Sequence, residues 1–302
     1  MCDEQRTSGD ASCLETKQRT GGKPGEVEKP SIETSIIQDY VLRRVGGSLC
    51  RISSRELEST IAEKFSLDRK QVGATIKALV SNGELVYTYE FGCSFLEKSF
   101  QKPVRVAKRV ILLPSDLSCQ PAPGDVPVRI KPGASFGSGQ HPTTRLAIRG
   151  IEHVLKSGMN LWEKITTILD VGTGSGVLVI TAVKLGVTKG IGIDVDPCAR
   201  AEAKENIIIN GLEDRIRILD QPPGHIDFGR RIAMIAANLR TPSLRQLRGH
   251  FTDIIDEGGV VVLSGIKTDE LQDLVNVYAV NKLHPCWQET EKGWAGVVMQ
   301  KK

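Results

Sequence analysis

The stretch Ile168-Leu169-Asp170-Val171-Gly172-Thr173-Gly174-Ser175-Gly176 decides the fold of this chain. It is a short apolar strand that runs into an acid and then into glycine at every second position. A helical pattern from Val177 to Leu185 follows at once and ends at Gly186. Glycines at a strand-to-helix turn permit positive φ and close backbone approach to a ligand. The free N–H groups at the helix start can then face polar ligand atoms. The turn reads as a nucleotide-type cofactor site, with a purely structural α/β turn as the plain alternative.

Spacing narrows the cofactor. A dinucleotide turn needs G-x-G-x-x-G, and the position that would carry its last glycine is Val177. No G-x-x-x-x-G-K-[ST] loop is present either. The pattern D-x-G-x-G-x-G resembles the first motif of class I S-adenosylmethionine methyltransferases. A second strand, Lys189 to Val195, carries Asp194 near its end. An acid about 20 residues beyond the turn is where doubly wound folds hold ribose hydroxyls, and a carboxylate can accept from two neighbouring hydroxyls. Asp196 stands before Pro197 and is assigned to capping the next helix.

The chain has 302 residues, 40% of them hydrophobic, enough for two cored domains. A formal charge of +4 and a pI of about 8.6 do not by themselves indicate a nucleic-acid partner. No apolar run approaches the roughly 18 residues of a membrane span, and the polar N-terminus lacks a signal-peptide core. Seven cysteines, at 2, 13, 50, 93, 119, 198 and 286, form no C-x-x-C pair. Neither a disulfide framework nor a structural zinc site is expected, and free thiols fit a reducing, cytoplasmic setting.

Four segments are expected. Residues 1–34 are polar and without apolar periodicity, and are expected to be a disordered tail. Residues 35–97 form a small winged-helix-like domain, in the order helix, strand, helix, helix, hairpin. Ile36, Ile37, Tyr40, Val41 and Val45 mark its first helix. Ser53 with Glu56, and Asp68 with Gln71, cap the next two. A winged helix suggests DNA, but acids and bases nearly balance here, so protein contact or dimerisation is favoured over nucleic acid. Residues 98–130 read as a basic linker with short strands around Val104–Val106 and Val110–Leu112. The linker's basic strip could meet an acidic or RNA partner, or simply be solvated. Residues 131–302 alternate strand and helix. They imply an α/β, Rossmann-like doubly wound sheet, with the ligand at the strands' carboxyl ends near Gly172, Asp194 and Asn238.

One further motif reaches beyond the glycine turn. Phe136-Gly137-Ser138-Gly139-Gln140-His141-Pro142-Thr143-Thr144 is similar to the F-G-T-G-x-H-P-T-T signature of the PrmA-type enzymes. These are bacterial methyltransferases that modify ribosomal large-subunit protein eleven. Ala236-Ala237-Asn238-Leu239, Leu263-Ser264-Gly265-Ile266 and Gly293-Trp294 resemble further segments of that family, and the likeness runs from about Ser99 to the C-terminus. The resemblance implies S-adenosylmethionine as cofactor, with Thr144, Gly172, Gly174, Asp194 and Asn238 binding it. It implies a protein substrate, a lysine of a ribosomal protein; the spacing of the cysteines and the five histidines separately leads to the expectation of no metal. Three departures are visible: Arg230-Arg231 precede the fourth strand where the family has an acid, Thr173 replaces a common cysteine, and residues 35–97 do not read as the family's ferredoxin-like substrate domain. The last of these leaves the acceptor open.

No general base stands out. His141 is a candidate, with loop shaping as its alternative role, and Asn238 could orient an acceptor amine. Competing readings are a nucleic-acid methyltransferase docked through the winged helix, a small-molecule methyltransferase, and a cofactor-binding regulator without catalysis. Against the first, Asn238-Leu239-Arg240-Thr241 stands where an N-P-P-[YF] motif would be needed.

Overall fold

A computed structural model describes residues 34–48, 52–90, 92–118, 120–156, 165–221 and 232–302. Nearly all of the expected tail, four of the seven cysteines and the Arg230-Arg231 pair lie outside these residues. The small N-terminal unit runs α1 (Thr34–Gly47), β1 (Ile52–Ser53), α2 (Ser54–Phe65), α3 (Arg69–Ser81), β2 (Leu85–Glu90) and β3 (Cys93–Lys98). Its strands form an antiparallel sheet of order β1-β3-β2. The helix starts come from local chemistry. Ser53 Oγ accepts the Glu56 N–H at 3.2 Å, and Asp68 Oδ1 accepts the Lys70 N–H at 3.2 Å. These bonds satisfy N–H groups that a helix start leaves free. Ile37, Val41, Leu57, Ile61, Val72, Ile76 and Leu79 face inward, as helical spacing requires, whereas Ile36 faces out.

Next come β4 (Val104–Arg105), β5 (Val110–Pro114) and β6 (Val126–Ile130), a three-stranded sheet in which β5 and β6 run parallel. The expected linker is therefore more structured than its prolines suggest. Val104, Val110, Leu112, Val126, Val128 and Ile130 are buried in the same core as Ile148, Ile151, Ile168 and Val179 further along the chain. Pro127 is tolerated because β6 is an edge strand. The basic strip is largely answered from within the chain. Arg105 makes two bonds of 2.7 Å to Asp125, and Arg109 Nε donates to the Gly124 carbonyl at 2.7 Å.

The remainder alternates, beginning with α4 (Pro142–Lys156), β7 (Thr167–Val171), α5 (Val177–Lys184), β8 (Lys189–Ile193) and α6 (Pro197–Ile209). It continues with β9 (Ile216–Leu219), β10 (Ile232–Asn238), α7 (Thr241–Ile254), β11 (Ile255–Lys267), α8 (Leu271–Ala279), β12 (Leu283–Glu291) and β13 (Trp294–Lys301). The sheet order is β12-β13-β11-β10-β7-β8-β9. Only β13 is reversed, being antiparallel to both β11 and β12.

Alternate residues of the central strands feed two cores. Ile168, Met234, Val260, Val262 and Val298 join the α4–α5 side, while Leu169, Ile235, Val261, Leu263 and Val297 join the α7–α8 side. A strand buried on both faces must be apolar throughout, which is why β7, β10 and β11 read as continuous apolar runs. Among the described residues, no helix is long and apolar enough to cross a membrane.

Candidate active site

Burial on both faces of β7 brings Asp170 into the interior, where it is wholly shielded from solvent. Its Oδ2 accepts the Thr173 hydroxyl at 2.7 Å and the Val179 N–H at 3.2 Å, tying the strand end to the start of α5. Oδ1 has no partner among the described residues. Burial pushes the carboxyl up to about 7; the two hydrogen bonds pull it back and the charge of Asp194 adds to the rise.

The turn that follows has positive φ at Gly172, Gly174 and Gly176. Gly174 is pressed on the loop before α4, where a Cβ would stand 2.4 Å from the Phe136 carbonyl oxygen. That oxygen in turn accepts the Ser175 N–H at 2.9 Å. Phe136 is thus brought to the glycine turn by backbone contact, from 36 residues earlier in the chain. The other side of the loop is held by α6, where the Glu202 carboxylate accepts the Ala134 and Ser135 N–H groups at 2.9 and 3.0 Å.

Asp194 stands just past β8. One carboxylate oxygen accepts the Gly174 N–H at 2.9 Å, and the other accepts the Asp196 N–H at 3.0 Å. Asp196 caps α6 through the Cys198 N–H at 2.9 Å, the role expected of it. A cleft of about 390 Å³ opens at these strand ends. Gly172, Gly174, Asp194 and Asn238 line it, with Phe136, Ile193, Val195, Ala199 and Leu239 as apolar walls.

Four of the five expected binding residues therefore share one cleft. Thr144 does not line it. It is fully buried on the first turn of α4, behind Asn238, whose Nδ2 lies 3.5 Å from the Thr144 hydroxyl. His141 Nδ1 accepts the Thr143 N–H at 3.3 Å and is 2.8 Å from the Thr143 hydroxyl. That ring nitrogen is engaged at the start of α4, in line with the loop-shaping alternative. The late tryptophan, Trp294, is buried beside His141, with ring centroids 4.9 Å apart. Gly265 leaves room for the turn after β10, because a Cβ there would meet the Leu239 carbonyl at 2.2 Å. Ala134, Ser135 and Glu202 were not expected at the site. Their sequence context offers no periodicity or motif to mark them, although Phe136 opens the signature.

A seven-stranded sheet of this order, one strand reversed, with a glycine-turn cleft at its carboxyl edge, defines an α/β Rossmann-like methyltransferase fold. Comparison with known proteins is more specific. Residues 95–302 match the family model described as ribosomal protein L11 methyltransferase (PrmA), and the chain belongs to that family. It is 37% identical over 180 residues to the ribosomal protein L11 methyltransferase of Aliivibrio fischeri, covering 59% of this chain and 57% of that one. Against the protein of the same name from Pelobacter propionicus the identity is 34% over 202 residues, covering 66% and 62%. The crystal structure of ribosomal protein L11 methylase from Lactobacillus delbrueckii subsp. bulgaricus superposes with a TM-score of 0.59 at 28% identity, over 67% of this chain and all of that one. The chain spans 57% to 62% of the length of these two curated relatives. Among the described residues, no group of three His, Cys, Asp or Glu side chains could hold a metal ion.

Proposed function

We propose that this chain is an S-adenosylmethionine-dependent methyltransferase that modifies a protein amine, with a lysine of ribosomal protein L11 as the first candidate. The observation that carries the reading is the convergence of Gly172, Gly174, Asp194 and Asn238 on one cleft in a member of this family. The cleft suits the cofactor's chemistry. Each Asp194 oxygen accepts one backbone N–H and keeps acceptor capacity for a ribose hydroxyl. The glycine backbone and the Asn238 amide offer polar partners for the methionine end, and Ile193, Val195 and Ala199 offer apolar surface for a base. Thr144, out of reach of the cleft wall, is assigned to orienting Asn238.

When bound, S-adenosylmethionine supplies an activated methyl group, so that the acceptor nitrogen forms its bond to carbon as the carbon–sulfur bond breaks and the thioether leaves. The chain's own part is to align the amine and exclude water. A lysine, with a pKa of about 10.4 in water, must reach the site neutral, and apolar surroundings favour the neutral form. No side chain is assigned as general base. Asn238, by its amide oxygen or its backbone carbonyl, is assigned to orienting the amine.

Residues 35–97 are best read as a winged-helix domain. Their element order and the β2–β3 hairpin support this, and protein contact is the favoured role. A ribosomal substrate would place the protein in the cytoplasm.

The test is methyl-labelled S-adenosylmethionine with the full chain, purified protein L11, and a cell lysate treated in parallel with nuclease or protease. Label on L11, or label in the lysate that survives nuclease but not protease, is the expected result. Label lost with nuclease would replace this reading with a nucleic-acid methyltransferase, and no macromolecular label would leave a small-molecule enzyme.

A further inference from the structure

A second hollow, of about 380 Å³, lies between the β2–β3 hairpin and loop 134–142, lined by Thr88, Glu97, Gln140, His141 and Lys292 among others. Ala134, Ser135 and Phe136 line both this hollow and the cofactor cleft, so a three-residue wall separates the two. We propose that the second hollow is the acceptor cleft, that it takes an extended lysine-bearing segment of a protein, and that the small domain thereby selects the substrate. The inference rests on the methyltransferase reading above.

The wall is built to stay in place. Glu202 holds the Ala134 and Ser135 N–H groups, and the Phe136 carbonyl is bonded to Ser175. The Ser135 hydroxyl oxygen is buried yet has no partner among the described residues. A native fold carries an unsatisfied buried hydroxyl chiefly where a ligand or water completes it. Phe136 is 53% exposed, a large apolar face left uncovered at the junction of the two hollows. Such a face suits the aliphatic stem of a lysine.

The far side of the hollow indicates the occupant. Its carboxylate is Glu97, and its lysine, Lys292, is already paired with Glu97 at 2.9 Å. With that cation neutralised there is no surplus positive charge to attract phosphates, whereas Glu97 keeps acceptor capacity for a donated N–H. β2 is the outer strand of its sheet, and among the described residues it pairs only with β3. Tyr87 and Tyr89 stand exposed on it either side of Thr88. An extended peptide laid along such an edge would pass Thr88 and present a side chain to the wall at Ser135 and Phe136.

Thr88 touches this hollow and not the cofactor cleft, so it separates the two functions. The experiment measures kcat and acceptor KM on protein L11, and cofactor affinity by calorimetry, for the full chain carrying Thr88→Trp, Thr88→Arg or Thr88→Ser. The added bulk of either of the first two side chains should raise acceptor KM by about tenfold or more, with kcat at saturation and cofactor affinity near wild type. Thr88→Ser should resemble wild type. Unchanged KM in folded Thr88→Arg and Thr88→Trp overturns the acceptor assignment while leaving the enzyme reading intact. If the wild-type chain labels no protein, the functional reading itself falls and this inference goes with it.

Discussion

Substituting alanine at Gly174 and at Gly172 tests how the site is built. Both glycines have positive φ, 53° and 70°. An L-residue there costs about 1–2 kcal/mol in either case. The neighbours differ. The new Cβ at 172 would meet the Leu239 Cδ2 atom at 2.6 Å, the far end of a side chain that can turn away for roughly 0.5–1.5 kcal/mol. At 174 it would meet the Phe136 carbonyl oxygen at 2.4 Å. That oxygen is backbone, and moving it strains the bond from Ser175, about another 1 kcal/mol, and displaces the wall of the cleft. Gly174→Ala should therefore cost about 2–3 kcal/mol, lowering the melting temperature of a chain of this length by roughly 3–5 °C. It should also weaken S-adenosylmethionine binding about tenfold more than Gly172→Ala, a difference of ~1.4 kcal/mol. Calorimetric titration of the two folded variants, with thermal melts alongside, reads both quantities. Equal affinities, or Gly174→Ala the tighter of the two, would refute the claim that the Phe136 carbonyl is what the glycine accommodates.

Asp194→Ala removes an acceptor of two backbone N–H bonds as well as the proposed ribose partner. Each charge-assisted bond is worth about 1.5–3 kcal/mol, so cofactor binding should fall below detection in the same titration while Asp194→Asn retains a part. Asp170 is an acid whose folded pKa is raised to about 7 from an ordinary 3.8. Between those values the folded state holds a proton that the unfolded state lacks. Its contribution to stability is thus complete below about pH 4 and declines, by up to about 1.4 kcal/mol per pH unit, until pH 7. Denaturant melts across pH 4–8 should show this slope in wild type and lose it in Asp170→Asn; identical slopes would count against a proton held on Asp170. Glu291 on β12 pairs with Arg145 and, at 2.6 Å, with Arg149, both on α4. Burial favours its neutral form, but the two guanidiniums hold the carboxyl below its ordinary value. Glu291→Ala should cost about 3 kcal/mol at neutral pH by leaving Arg145 without a carboxylate and Arg149 with Glu289 alone, and the penalty should shrink in acid as the wild-type carboxyl protonates. An unchanged melting temperature at pH 7 would show the network to be idle.

The match between expectation and structure followed how local the cause was. The caps at Ser53, Asp68 and Asp196 and the glycine turn depend on residues a few positions apart, so spacing revealed them. The central strands were legible because burial on both faces demands unbroken apolar runs. The edges were not. β6 carries Pro127, and β12 reads Leu-His-Pro-Cys-Trp-Gln-Glu-Thr-Glu, a largely polar strand with one covered side. Helix α4 was hidden inside a signature recognised for its resemblance. Its buried Thr143, Thr144 and Glu152 look polar in sequence and are buried because each meets a partner far along the chain or at its own start. The Glu152 carboxylate, for example, accepts the Lys108 and Arg109 N–H groups at 2.9 and 2.6 Å.

From its sequence alone this chain determined a glycine turn, an acid one strand later, an asparagine at a strand end and a family signature. Those are properties of short segments, set by backbone φ, capping and strand periodicity. Only the tertiary structure decided that Phe136 and Ser135 form the wall between two hollows and that Thr144 stands behind Asn238 and not on the cleft. It also decided that the β2–β3 hairpin closes the second hollow. Each of these rests on contacts between residues tens to more than a hundred positions apart, such as Glu97 with Lys292 and Ala134 with Glu202. Such contacts leave no period in the sequence, because they arise from where the sheet order sets the loops and not from any pattern within them.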